Sequence, residues 1–222
     1  MDLVELMELR PGITAVIGGG GKTTFLRTAG ELLARDHTVL LCTTTKMYPF
    51  PDIPFAGTAD ELDRLQKMHR LICAGQLIPD LGKIRAPQLP MDELAERFEY
   101  ILVEADGAAR RPMKAHADHE PPIPPERNQV IELVGASGFG RPISEAAHRP
   151  GIYARLADVP ESAVITPEIA AEVLLAEGLH HRVFINQVES MERAEWARRM
   201  AIRLDCQVAA GALQKGVWFQ CV

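Results

Sequence analysis

The 222-residue chain is predicted to fold as an α/β protein around a mostly parallel central sheet. Three observations carry that expectation. Short β-branched apolar runs alternate with segments of helical period, the first run passes through four glycines straight into a helix, and later runs end in polar or acidic residues. Ile13 to Ile17 is the first strand, Gly18 to Gly21 the turn, and Thr23 to about Arg35 the helix. After a turn at Asp36-His37, Thr38 to Cys42 forms a second buried strand, so the opening 42 residues make a βαβ unit and start a parallel sheet. Prolines 49, 51 and 54 keep Met47 to Pro54 irregular. Thr58 starts a helix to His69, with Leu62 and Leu65 at helical spacing. Leu71 to Ala74 is a strand, Met91 to Phe98 a short helix entered through Pro90, and Tyr100 to Val103 a strand that runs into Glu104-Ala105-Asp106-Gly107.

Ala108 to Pro125 holds five of the sixteen prolines and is expected as an irregular insertion at about 108–125, within a single domain spanning 1–222. Beyond it the pattern predicts a strand at Asn128 to Val134, a helix at Pro167 to Glu177 and a strand at Arg182 to Ile185. An amphipathic helix from Met191 to Leu204 and an apolar strand from Gln207 to Ala210 close the chain.

Composition narrows the function. Hydrophobic residues make up 47% and charged residues 24%, the balance of a globular protein. A net charge of −6 gives no electrostatic footprint for nucleic acid. No apolar stretch approaches the roughly 18 residues of a membrane span, and Asp2 and Glu5 stand where a signal peptide carries basic residues. Cys42, Cys73, Cys206 and Cys221 form no C-x-x-C pair, so neither a zinc knuckle nor a disulfide scaffold is expected; a reducing cytoplasm fits.

Gly18-Gly19-Gly20-Gly21-Lys22-Thr23-Thr24 lies between strand and helix, the context in which glycines bring backbone N–H groups to phosphate oxygens and the helix adds dipole charge. Lys22 supplies a mobile charge from the solvent side, and the Thr23 hydroxyl is placed to meet Mg²⁺. The strict spacing asks for a glycine six residues before the lysine, where Val16 stands, so the loop is a variant. Together these features predict a three-layer P-loop NTPase-type fold. In such proteins the neighbouring strand ends in an acid that binds Mg²⁺; Asp106 is the metal candidate and Glu104 a second metal or water-orienting one. Strand alternation puts both on one side if the strand continues that far.

Thr43-Thr44-Thr45-Lys46 sits at the same carboxyl edge, where Thr45 either reaches Mg²⁺ or merely caps a strand end. Phe184 to Glu189 has the form of a guanine-reading Asn-Lys-x-Asp element with Gln187 and Glu189 substituted, making Asn186 and Glu189 base-reading candidates beside the reading of an ordinary turn. His116, Asp118, His119 and Glu120 match no zinc spacing and are expected in a solvated polar loop. Arg110, Arg111, Lys114 and Arg149 are expected as exposed charges. Gly135 to Gly140 forms no nucleophile elbow, because position 139 is Phe139.

As a set, the glycine loop, Cys42 to Met47, Val103 to Lys114, His119 to Pro124, Arg141 to Pro150 and Ile185 to Glu189 resemble the YqeC family. Its members are described as accessory proteins of selenium-dependent molybdenum hydroxylases, and the wider likeness is to P-loop GTPases and ATPases of metallocentre assembly. The resemblance implies that Gly19 to Thr24 hold phosphates and that Thr23 and Asp106 hold Mg²⁺. It also implies a molybdenum hydroxylase or its maturation proteins as partner. The expected activity is Mg²⁺-dependent hydrolysis of GTP or ATP with low intrinsic turnover, Lys22, Glu104 and Asp106 acting in catalysis. A small-molecule kinase and a non-catalytic, nucleotide-gated binding module are the alternatives.

Overall fold

The computed structural model describes residues 1–221. The chain opens with α1 (Leu3–Leu6), β1 (Gly12–Gly18), α2 (Lys22–Leu33), β2 (Val39–Thr43), β3 (Phe55–Ala56), α3 (Ala59–Leu65) and β4 (Leu71–Ala74). A hairpin of β5 (Gln76–Ile78) and β6 (Lys83–Arg85) precedes α4 (Met91–Ala95), β7 (Tyr100–Glu104), β8 (Met113–Lys114) and β9 (Gln129–Gly135). Then come α5 (Ile143–Ala146), β10 (Ala147–His148), α6 (Pro150–Leu156), α7 (Pro167–Glu177) and β11 (Arg182–Asn186). The last elements are α8 (Met191–Ala201), β12 (Gln207–Ala212) and β13 (Val217–Gln220).

Nine strands form the central sheet in the order β13-β12-β11-β9-β1-β7-β2-β4-β3, and every pairing but β12 with β13 is parallel. The α/β architecture with a mostly parallel sheet is therefore the one the sequence predicts. Because successive side chains leave opposite faces of a strand, each strand feeds two cores. Val16, Leu41, Leu102, Leu133 and Phe184 lie under Phe25, Leu26, Ala29 and Leu33 of α2. On the other face α3 and α4 cover Leu40, Ile101 and Val103, while α5 to α8 cover Val134, Val183, Ile185 and Val208. Between these two helical groups lie Ala15, Ile17, Ala105 and Val130, over which Ile123 of the irregular segment packs.

Several expectations change in detail. β1 and β2 share the sheet as parallel strands, but β7 runs between them, a choice of strand order that alternation cannot specify. α3 ends at Leu65 and α8 at Ala201, each with its continuation closed by turn bonds. The chain continues past β12 through Leu213 to Lys215 and a left-handed Gly216 (φ 64°) into the unexpected antiparallel edge β13. No helix among the described residues is long and apolar enough to cross a membrane.

Candidate functional site

The glycine turn at the carboxyl end of β1 is shaped by backbone angles and by close packing together. Gly18, Gly20 and Gly21 have φ of 88°, 79° and 120°, the region other residues avoid. A Cβ on Gly20 would lie 2.4 Å from the backbone of Gly135, and one on Gly18 2.3 Å from the Leu133 carbonyl oxygen. Three of the loop N–H groups are used internally: Gly18 donates to Asp106 Oδ2 (2.8 Å), Gly19 to Leu133 O (2.8 Å) and Gly20 to Arg111 O (3.3 Å). The donors left over are Gly21, Lys22, Thr23 and Thr24 at the start of the twelve-residue α2, which have no hydrogen-bond partner among the described residues. The side chain of Val16 is buried in the core beneath α2.

Lys22, expected as a mobile charge on the solvent side, is buried instead. Its Nζ donates to Gly18 O (2.6 Å) and pairs with Asp106 Oδ1 (2.8 Å). Asp106 is 1% exposed and its Oδ2 also meets His116 Nε2 (2.8 Å) and Lys114 Nζ (3.2 Å). Burial alone would raise the Asp106 carboxyl; Lys22, His116 and Lys114 outweigh it and hold the group well below the usual range. Glu104 takes a different partner, accepting a bond from the Thr23 hydroxyl at 2.8 Å. Burial pushes its carboxyl up, against the opposing pull of Lys22 and Thr23. The structure therefore brings Thr23 to Glu104, the last residue of β7, and Lys22 to Asp106 just beyond it. Thr45 donates its N–H to Thr43 Oγ1 (3.0 Å), and Thr43 in turn donates to the Glu104 carbonyl (2.7 Å).

In front of Lys22 opens a cavity of about 430 Å³. Five cations line it, Lys22, Lys46, Lys83, Arg110 and Arg111, around one carboxylate, Glu104. Lys83 also lies 5.0 Å over the Tyr48 ring. Lys83 comes to this edge on β6 of the hairpin, which no sequence motif announces. A neighbouring cavity of about 250 Å³ is bounded by Gly21, Thr24, Ser137, Asn186, Gln187, Glu189 and Arg193. Asn186 is a strut there: its Nδ2 donates to Gly20 O (2.7 Å) and its Oδ1 accepts from Leu213 N–H (3.1 Å). Gln187 accepts from the Ser137 hydroxyl (2.5 Å), and Glu189 is exposed, 3.9 Å from Lys215 Nζ.

The sequence model of the YqeC protein family matches residues 14–151, a stretch that contains the glycine turn, both acids and the cations Lys46, Lys83, Arg110 and Arg111. This chain belongs to the YqeC family. A protein of Escherichia coli (strain K12), described as "Uncharacterized protein YqeC", is 31% identical over 206 residues, covering 84% of this chain and 80% of that protein.

The stretch shared with the YqeC family also includes the segment in which His116 was expected to be solvated. It is buried. β8 pairs in parallel with β10, which draws Met113 to His116 inward and leaves Asp118 and His119 exposed. His116 Nδ1 lies 2.8 Å from Glu177 Oε2, and its backbone N–H donates to Glu177 Oε1 at 2.6 Å. Burial disfavours a charged ring, but the bonds to Asp106 and Glu177 prevail and push His116 up to about 9. Lys114, expected exposed, is buried and donates to Gly107 O (2.6 Å). Arg149 grips Glu120 with two bonds of 3.0 and 2.7 Å and lowers its carboxyl to about 2. Arg110 and Arg111 are exposed, as expected.

Proposed function

We propose that the protein binds a Mg²⁺-complexed nucleoside triphosphate against Gly18 to Thr24 and hydrolyses it slowly. The observation that carries this reading is the cavity in which five cations and four free N–H groups at a helix start surround a single carboxylate. A polyphosphate is the anion whose charge and length suit that array, and the adjoining cavity beside Asn186 and Glu189 has room for a base. Thr23 and Glu104, a hydroxyl and a carboxylate already 2.8 Å apart, are hard oxygen donors of the kind Mg²⁺ takes, with Asp106 acting from behind through Lys22. Mg²⁺, when bound, supplies positive charge at the phosphate oxygens.

The chain's own residues do the rest by position and charge. Lys22 can exchange the Gly18 carbonyl for a phosphate oxygen while Asp106 still compensates it. Arg110 and Arg111 line the same space, and in this reading Glu104 binds the metal or orients water. Coupling to the maturation or cofactor loading of a selenium-dependent molybdenum hydroxylase is supported by the family resemblance.

Purified protein incubated with Mg²⁺ and GTP or ATP is expected to release phosphate slowly without any acceptor. Release only with an added acceptor compound would make it a kinase, binding without release a nucleotide-gated module, and absence of binding would overturn the reading. Glu104→Gln is expected to leave triphosphate binding without Mg²⁺ nearly unchanged and to weaken Mg²⁺ enhancement roughly tenfold, the scale of one charged contact; identical Mg²⁺ titrations would remove Glu104 from the metal. GTP is expected to bind more tightly than ATP, with Glu189 accepting from the guanine edge. If Glu189→Ala leaves the ratio of the two affinities unchanged in competition binding, the base is read elsewhere.

A further inference from the structure

Register sets the side chain of Glu132, on β9, in the same layer as Ile17 and Val183, beside Val130 and Val134. A carboxylate in the middle of a sheet face, 1% exposed, needs its charge and lone pairs matched. Here the lone pairs are not: Glu132 Oε2 stands at ion-pair distance from His180 Nδ1, 3.5 Å, but neither atom makes a hydrogen bond. The Tyr153 hydroxyl, equally buried, is also without a partner. It lies in the field of Glu132 and Glu177, whose charges add to burial in pushing its ionisation up. One ligand atom from each of His116, Glu132 and Glu177 falls within 4.8 Å of the others.

The geometry points to a divalent transition-metal site formed by His116 Nδ1 and the carboxylates of Glu132 and Glu177. Nδ1 is the ligand atom because Nε2 is already held by Asp106 at 2.8 Å, the outer carboxylate that fixes the ring of a metal-bound histidine. One imidazole nitrogen with two carboxylate oxygens suits ions of the Zn²⁺, Mn²⁺, Fe²⁺ and Co²⁺ class; Ca²⁺ and Mg²⁺ prefer oxygen alone. A divalent ion takes the place of the proton between Nδ1 and Glu177 and is faced by two carboxylates, of which Glu132 is shared with His180. Such an ion ties the segment carrying His116 to β9 and to the end of α7, one residue removed from the Asp106–Lys22 pair. Its existence does not depend on the nucleotide reading, since the probe is metal alone.

The test is titration of chelator-stripped, nucleotide-free protein with Zn²⁺ and Co²⁺ against a competing chromophoric chelator, in excess Mg²⁺ to fill oxygen-only sites. The expected result is one equivalent per chain, an X-ray absorption shell of nitrogen and oxygen without sulfur, and a higher thermal midpoint with Zn²⁺. Affinity is expected to fall roughly 100-fold in Glu132→Gln and in Glu177→Gln, where a ligand is lost. The second variant gives the same reading if the first fails to fold. No stoichiometric uptake by the wild type, unchanged affinity in a folded variant, or sulfur in the shell would overturn the site.

Discussion

Lys22→Ala is expected to weaken Mg²⁺-triphosphate binding about 100-fold, measured by titration calorimetry, with the far-ultraviolet circular dichroism spectrum retained. The loss corresponds to about 2.7 kcal/mol, within the range of one or two hydrogen bonds from a charged donor. The lysine starts α2 and lines the cavity beside the four unpaired N–H groups. Its removal also takes one of three cations from Asp106, but His116 and Lys114 remain, which keeps the cost to the fold moderate. Unchanged affinity in a folded variant would dismiss the phosphate role of the turn.

Asp106→Asn is expected to have the larger effect on stability, lowering the thermal midpoint by about 10 °C. The carboxylate accepts from Gly18 N–H and is shared by Lys22, Lys114 and His116 at 1% exposure. An amide of the same shape presents one acceptor where the network uses two, and turns an N–H₂ toward a cation. Breaking a buried charge network of this kind costs about 3–5 kcal/mol, and a domain of this size loses about 2–4 °C per kcal/mol. Calorimetry showing an unchanged midpoint would mean that the three cations are compensated elsewhere. The two variants are expected to separate a ligand role of Lys22 from the part Asp106 plays in holding the loop, the lysine and the irregular segment to one another.

Much of this was legible in the residues. The strand–glycine–helix passage, the strand ending at Glu104, the helix at Pro167–Glu177 and the parallel character of the sheet all follow from patterns a few residues long, in which each side chain's preference is set by near neighbours. The positions of the glycine turn and of the two acids at one sheet edge came from the same patterns.

What the sequence by itself determined about this protein is thus the α/β class, the place of the glycine turn and the YqeC resemblance. Only the tertiary structure decided which charges are buried and which face the cavity. His116 is not a solvated loop residue because Glu177, 61 positions away, closes over it, and Gly18 reaches Asp106 across 88 positions. Lys83 joins the cavity because a hairpin folds to that edge, and Glu132 is a core carboxylate because β9 lies between β1 and β11. The burial of a charge is stable only when its partners arrive from elsewhere in the chain, so its environment is a property of the assembled sheet and its layers, which short-range spacing does not encode.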